Sequence, residues 1–167
     1  ETLTVIPTKD GKNYYRDADG SCYRCYEFIL DSLTLETADS ANDLYEAAKG
    51  FASFQKRLAD FPADKLHETI VDFHNTPVRF KALEDAIKND SKGRAKDVQE
   101  EINFALAQKD WISCIVDGLA DGSIPLRVTH NDTKINNIMF DINTRKAMCV
   151  IDLDTVMPGS LLYDFGD

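Results

Sequence analysis

The sequence lacks long apolar runs and any surplus of basic residues. No stretch approaches the roughly 18 consecutive apolar residues of a transmembrane helix, and no charged-then-apolar N-terminus predicts a secretion signal. The chain has 19 Lys and Arg against 29 Asp and Glu, for a formal net charge of -10. Nucleic acids and anionic membrane surfaces bind basic faces, so this balance argues against both as partners. We therefore expect a cytoplasmic protein.

Cysteine is also scarce, with four residues in 167. Cys22 and Cys25 form a C-x-x-C pair within a predicted strand over 22–28. Residues three apart on one strand point to opposite faces, and no second ligand pair is present to complete a zinc site. A zinc or redox site is therefore not expected, and reduced cysteines are typical of a cytosolic protein.

What is present begins with β structure and continues with helices. Short apolar and aromatic runs in the first thirty residues are separated by Asp-Gly turns, a pattern typical of hairpins. Ser40 is the predicted N-cap of the first helix. Thr76 is the predicted N-cap of a second helix, with Pro77 at its first helical position and its end near Asn89. A longer helix is predicted over 95–118.

The first and third predicted helices each have one apolar face at helical spacing. In the first helix this face comprises Leu44, Ala47, Ala48, Phe51, Phe54 and Leu58. In the third it comprises Val98, Ile102, Ala105, Leu106, Trp111, Ile112, Ile115 and Val116, and we expect Trp111 and Phe104 to be core residues. A hairpin pairing 137–140 with 148–151 follows. This order of elements predicts an α+β fold.

The most informative polar stretch precedes this hairpin and has the pattern H-x-D-x-K-x-x-N. Its members are His130, Asp132, Lys134 and Asn137, and Asp152 ends the second strand of the hairpin. Phosphoryl transfer requires a carboxylate near the acceptor hydroxyl, Mg²⁺ on the phosphates and positive charge at the transferring group. The pattern therefore predicts Asp132 as base or hydroxyl-orienting residue, Asn137 and Asp152 as metal ligands, and Lys134 as a phosphate contact.

Three further polar residues are given supporting roles. His130 is expected to brace the loop by hydrogen bonds. Asp154 is expected on the same side of an extended segment as Asp152, where it could hold a second ion or the substrate. Asp164-Phe165-Gly166 spells the metal-binding motif of protein kinases, but it lies 27 residues after Asn137 and has no predicted strand partner. We therefore expect Asp164 to brace the catalytic loop.

These motifs resemble the aminoglycoside phosphotransferase and choline kinase superfamily, which shares the protein-kinase fold. Within it, the chain most closely resembles the N-acetylhexosamine 1-kinases, in segments 5–11, 26–29, 66–77, 130–137, 150–158 and 164–167. The resemblance implies a kinase-like α+β fold. Residues 1–30 would form the last strands of a small lobe and the hinge, and residues 31–167 would form part of a mostly helical large lobe.

The resemblance also implies an activity, namely the ATP- and Mg²⁺-dependent phosphorylation of the anomeric hydroxyl of an N-acetylhexosamine. The backbone of Glu27, Phe28 and Ile29 would contact adenine, and His74 and Arg79 are candidate contacts to the sugar. The family's Gly-rich loop, strand lysine and last helices have no counterpart in these 167 residues. We therefore expect a fragment that is inactive alone and whose partners are the missing small-lobe and C-terminal segments.

Three alternatives stay open. The acceptor could be choline, homoserine, an aminoglycoside or another sugar. Relatives of this sequence are also sometimes labelled mucin-desulfating sulfatases, which require C/S-x-P-x-R; we expect no residue of this chain to supply that pattern. The third alternative is a non-catalytic pseudokinase or scaffold, and the joint presence of Asp132, Asn137 and Asp152 argues against it.

Overall fold

The chain folds into two compact units in the computed structural model, which describes residues 2–167. Unit 1 contains the chain up to Leu58 together with Asp132–Asp154, and unit 2 contains Ala59–Asn131 together with Thr155–Asp167. Both α-helices and small sheets are present, as an α+β kinase-like fold requires. Within residues 2–167, every helix is too short or too polar to cross a membrane. The lobe boundary expected at residue 30 stays a prediction.

The strands are short, and most of the helical residues lie in three of the helices. In chain order the strands are β1 Val5–Ile6, β2 Tyr15–Arg16, β3 Cys22–Tyr23, β4 Cys25–Tyr26, β5 Ser32–Leu33, β6 Arg127–Thr129, β7 Ile138–Asp141, β8 Ala147–Val150 and β9 Met157–Gly159. The helices are α1 Ala41–Arg57, α2 Thr76–Asn89, α3 Gln99–Ala107, α4 Cys114–Asp121 and α5 Leu161–Gly166.

The first part of unit 1 consists of two small antiparallel pairs, β1 with β4 and β2 with β3. The single strand predicted over 22–28 is therefore wrong, because the chain changes sheet at Arg24. Cys22 and Cys25 consequently lie in different sheets. Both are free and exposed, and neither has a cysteine partner in the part of the chain described.

The core of unit 1 forms where α1 packs on the hairpin of β7 and β8, beside β5. The predicted hairpin is confirmed. Ser40 is confirmed as the N-cap of α1, because its hydroxyl accepts a hydrogen bond from the Asp43 N–H while the Asp43 carboxylate accepts one from the Ser40 N–H. The buried core comprises Leu35, Ala47, Phe51, Ile138 and Phe140.

The prediction that Leu44 and Ala48 of α1 lie in the core is wrong, because both residues are exposed. The helix buries Asp43 and Glu46 instead. Two carboxylates can be buried here because each has partners on the β7–β8 hairpin, which are described below. The helix is therefore rotated from the orientation that hydrophobicity alone predicts.

In unit 2, α2 ends at Asn89 as predicted, but its N-cap is Asn75 and not Thr76. The single helix predicted over 95–118 is wrong. Turns between Gln108 and Ser113 divide it into α3 and α4, so the two parts do not share one apolar face. Phe104 and Trp111, expected in the core, are 72% and 71% exposed.

The antiparallel pair of β6 and β9 positions the polar loop that follows β6 in unit 2. Thr129 lies opposite Met157, and Arg127 lies opposite Gly159. A Cβ atom at Gly159 would lie 2.6 Å from Oγ1 of Thr129, so this close approach requires glycine. The Asp164-Phe165-Gly166 sequence lies in α5, immediately after β9.

Candidate active site

The polar loop brings Asp132, Lys134 and Asn137 of unit 1 together. Nδ2 of Asn137 donates hydrogen bonds to the Asp132 carboxylate and to the Asp132 carbonyl, each at 2.8 Å. Nζ of Lys134 lies 2.9 Å from the same carboxylate oxygen, Oδ2. The Asp132 side chain is 25% exposed, so solvent still reaches it. The amide and the ammonium group both stabilise a negative carboxylate and fix its direction.

The β7–β8 hairpin brings the two predicted metal ligands to the same end of unit 1. The Ile151 N–H donates to the Asn137 carbonyl at 2.9 Å, so Asp152 follows the residue that is paired with Asn137. Asp152 is exposed and has a positive φ of 57°, a left-handed conformation that is uncommon outside glycine. Strained backbone of this kind clusters at functional sites.

Asn137 and Asp152 fit a magnesium ion that takes most of its other ligands from water and substrate phosphates. Both hydrogen bonds of the Asn137 side chain use Nδ2, which leaves its oxygen for a cation. Among residues 2–167, no group of three or more His, Cys, Asp or Glu is arranged to hold a metal. Mg²⁺ commonly uses one or two carboxylates together with waters and substrate phosphates, so a sparse set of oxygen donors suits it better than zinc.

Asp154 does not lie on an extended segment with Asp152, so that expectation is wrong. Residues Leu153–Thr155 form a 3₁₀ turn, which redirects the side chain. The Asp154 carboxylate forms an ion pair with Arg24, whose guanidinium also lies 5.6 Å from the ring centre of Tyr26. Asp154 thus ties the turn after Asp152 to the segment between β3 and β4, and its role with a second ion stays a prediction.

In unit 2, Asp164 makes the contacts that a brace requires. Its two carboxylate oxygens accept the backbone N–H groups of His130 at 3.0 Å and Asn131 at 2.7 Å. Asp164 is 8% exposed and His130 is fully buried. Hydrogen bonds from buried N–H groups to a carboxylate are among the stronger ones in proteins. The consequence of this brace for activity stays a prediction.

Asn131 is a central residue of the loop that sequence reasoning missed. Its φ is +67°, it is 3% exposed, and its carbonyl group belongs to the peptide that leads into Asp132. Its side chain donates to the Thr155 carbonyl at 2.8 Å and accepts from the Thr129 hydroxyl at 2.9 Å. Asparagine tolerates the left-handed region better than most residues, and this preference was the available sequence signal.

The two candidate sugar contacts, His74 and Arg79, both bond to protein backbone in unit 2. Nε2 of His74 lies 3.2 Å from the Asn131 carbonyl oxygen, and its ring stacks on Tyr163 with centroids 4.7 Å apart. Burial raises the pKa of the Tyr163 phenol. Nε of Arg79 donates to the Phe73 carbonyl at 2.7 Å. His74 borders a cavity of about 190 Å³, whereas Arg79 does not line it.

The predicted adenine contacts, Glu27, Phe28 and Ile29, lie in an irregular segment of unit 1 after β4. The Glu27 N–H donates to the Thr4 carbonyl at 2.9 Å, and the Ile29 carbonyl accepts from the Ser32 hydroxyl at 2.7 Å. These bonds use neither the Glu27 carbonyl nor the Ile29 N–H. Phe28 is 80% exposed. The segment can thus offer backbone groups to a base, and this role stays a prediction.

The buried carboxylates of α1 form a separate, structural cluster in unit 1. The Arg145 guanidinium, in the β7–β8 turn, donates to the Asp43 carboxylate at 2.7 and 3.0 Å. This contact lowers the pKa of Asp43 to about 2. Lys49 lowers the pKa of Glu46, whose carboxylate also accepts the Ala147 N–H at 3.2 Å. The sequence signal for this cluster was the pair Asp43 and Glu46, which lie three residues apart on an otherwise apolar helix face.

The expectation that no residue begins a C/S-x-P-x-R pattern is wrong, since Ser123-Ile124-Pro125-Leu126-Arg127 matches it. The structure gives this segment another role. Gly122, with φ +79°, ends α4, and the Ser123 N–H donates to the Asp121 carboxylate at 2.9 Å. Arg127 then begins β6. The segment therefore ends a helix and leads into a strand.

The chain matches a known protein family over most of its length. Residues 11–167 match the sequence model of the phosphotransferase enzyme family, APH. Membership of this family indicates a kinase-type enzyme. It also implies, in general, the use of ATP and a divalent metal, for which Asn137 and Asp152 could supply oxygen ligands. The match does not favour a sulfatase or a scaffold. The chain therefore belongs to the phosphotransferase enzyme family.

Proposed function

We propose that this protein transfers the γ-phosphoryl group of ATP to a hydroxyl of a small molecule, with Asp132 as the residue that orients and deprotonates that hydroxyl. The observation that carries the proposal is the Asp132 carboxylate, held at one oxygen by both Asn137 and Lys134. A base that is already fixed in direction loses little entropy when the acceptor binds. Such positioning, together with electrostatic stabilisation, supplies most of the catalysis in phosphoryl transfer.

The remaining residues act on the nucleotide in this proposal. Asn137 and Asp152 would hold Mg²⁺, and Lys134, which now contacts Asp132, would contact the transferring phosphoryl group. When bound, Mg²⁺ neutralises charge on the phosphate oxygens. The Glu27–Ile29 segment receives the adenine base. Residues 1–30 would serve as small-lobe strands and hinge, and residues 31–167 as large lobe.

The acceptor we propose is the anomeric hydroxyl of an N-acetylhexosamine. The support is the resemblance of segments 66–77, 130–137 and 150–158 to the N-acetylhexosamine 1-kinases. Family membership supports phosphoryl transfer at a coarser level, and the choice of acceptor rests on the resemblance alone. Choline, homoserine, an aminoglycoside and other sugars are the competing acceptors.

The test is an acceptor screen with the full-length protein, which records ADP release and identifies the product by ³¹P NMR. We expect turnover with N-acetylglucosamine or N-acetylgalactosamine and a phosphorus signal coupled to the anomeric proton. Turnover with choline or an aminoglycoside alone would keep the kinase and replace the acceptor. Absence of turnover with every acceptor would contradict the proposal.

Asp132→Asn should lower kcat by about 10²- to 10⁴-fold, because a carboxamide cannot accept the proton. Binding of Mg·ATP, measured by calorimetry, should be retained, since Asn137 and Asp152 are intact. Asp60→Asn, in an exposed position after α1, is the matched control and should leave kcat unchanged. Turnover by the Asp132→Asn variant equal to that of wild type would contradict the assignment of Asp132 as the base.

A further inference from the structure

His74 makes a contact that neither the family match nor the predicted sugar role explains. Its Nε2 atom lies 3.2 Å from the carbonyl oxygen of Asn131, 57 residues away in the chain. A carbonyl oxygen only accepts hydrogen bonds, so Nε2 carries the proton and donates it. The ring is held from two sides, with Tyr163 stacked at 4.7 Å and Phe73 edge-on at 4.8 Å between centroids.

The Asn131 carbonyl, which accepts the hydrogen bond from His74, lies next to Asp132 in the chain. The Asn131 carbonyl belongs to the planar peptide that joins Asn131 to Asp132, so fixing that oxygen fixes the plane from which Asp132 projects. The other groups of Asn131 are held as well, its N–H by Asp164 and its side chain by Thr129 and Thr155. His74 contacts the remaining group, the backbone carbonyl of Asn131, whose φ of +67° lies in the left-handed region.

We propose that His74 is a positioning residue of the phosphotransferase, which orients the Asn131–Asp132 peptide through its Nε2–H and does not bind the sugar. This inference rests on the proposed function, because it assumes that Asp132 is the base. The expected loss without the donor is that of one hydrogen bond of ordinary strength, about two- to tenfold in kcat.

Two substitutions separate the hydrogen bond from the ring stacking. His74→Phe keeps an aromatic ring against Tyr163 and removes the donor, whereas His74→Gln keeps an N–H at similar reach and removes the ring. We expect H74F to lower kcat two- to tenfold with the KM values unchanged, and H74Q to stay within about twofold of wild type. His67→Phe, at an exposed position of the same unit, is the control and should match wild type.

A second readout is independent of turnover. The HNCO cross-peak that joins the Asp132 amide to the Asn131 carbonyl carbon should move in H74F and keep its position in H74Q. An unmoved peak in H74F overturns the inference, as does a raised KM for the acceptor with kcat intact. Loss of kcat in H74Q alone also overturns it, because stacking would then be the function of His74.

The two proposals fail separately. If wild type shows no turnover with any acceptor, the proposed function fails and the cross-peak alone decides the role of His74. If H74F does not fold, as judged by its thermal melting curve, H74Q carries the test. Wild-type kcat and peak position in H74Q then support the donor role, and their loss overturns it.

Discussion

Asp152 in unit 1 and Asp164 in unit 2 are the same residue type in opposite environments. Asp152 is exposed, lies two residues after the end of β8 and has a left-handed conformation, and no hydrogen bond of its carboxylate is found within residues 2–167. Asp164 is buried in a short helix, and both its oxygens accept backbone N–H groups. The sequence around Asp164 spells the kinase metal motif, whereas the sequence around Asp152 does not.

The difference favours a metal-binding role for Asp152 and a structural role for Asp164, although the kinase metal motif surrounds Asp164. A metal ligand needs accessible lone pairs. Each oxygen of Asp164 uses one lone pair for a backbone N–H, and the residue is buried. A brace needs the reverse, since buried N–H groups require acceptors. Our proposal therefore assigns the metal to Asp152 and the bracing of the loop to Asp164.

Removal of the brace should have the largest effect on stability. Asp164→Ala leaves the buried N–H groups of His130 and Asn131 without their acceptor, and each unsatisfied group costs about 1 to 3 kcal/mol. We expect the free energy of unfolding, measured with urea, to fall by about 2 to 6 kcal/mol. A loss below about 0.5 kcal/mol, the range of a neutral surface substitution, would break the comparison.

Asp43 extends the comparison to a buried carboxylate of unit 1, whose smaller contribution to stability should be lost in acid. Arg145 lowers the pKa of Asp43 to about 2 from an ordinary value of 3.8. A depressed pKa contributes stability that is fully present above the ordinary value and is lost as the pH falls toward the folded value. Wild type should therefore lose unfolding free energy between about pH 4 and pH 2.

The measurement is urea unfolding at pH 5 and pH 2.5. Asp43→Asn should be less stable than wild type at pH 5 and should lose less on acidification, because the titrating group is gone. Asp60→Asn is the control, and it should lose as much as wild type. An identical acid loss in wild type and Asp43→Asn would show that the Arg145 contact does not carry this stability.

The sequence predicted those features that depend on neighbouring residues. The Ser40 cap, the β7–β8 hairpin and the order of the polar loop all follow from spacing within a few residues. Asn137 reaches Asp132 because only five positions separate them. The hairpin also brings Asp152 to the same end of unit 1 as Asn137, as the strand lengths predict.

The features that were missed depend on partners far apart in the chain. Arg145, 102 residues after Asp43, pairs with it. Because the face of α1 that carries Asp43 is therefore buried, Leu44 is exposed. His74 and Asn131 are 57 residues apart, so no local pattern joins them. The division between α3 and α4 was also missed, because apolar residues continue at helical spacing across the turns at 108–113.

The most direct test of the central claim is to measure the Mg²⁺ dependence of turnover in Asp152→Ala and Asp164→Ala side by side, with each protein's unfolding free energy. The account predicts that Asp152→Ala loses about a hundredfold or more in kcat and requires more Mg²⁺, while its stability stays within about 0.5 kcal/mol of wild type. Asp164→Ala should lose stability and keep the wild-type Mg²⁺ requirement in the molecules that remain folded. A raised Mg²⁺ requirement in Asp164→Ala, with a normal one in Asp152→Ala, would contradict the account.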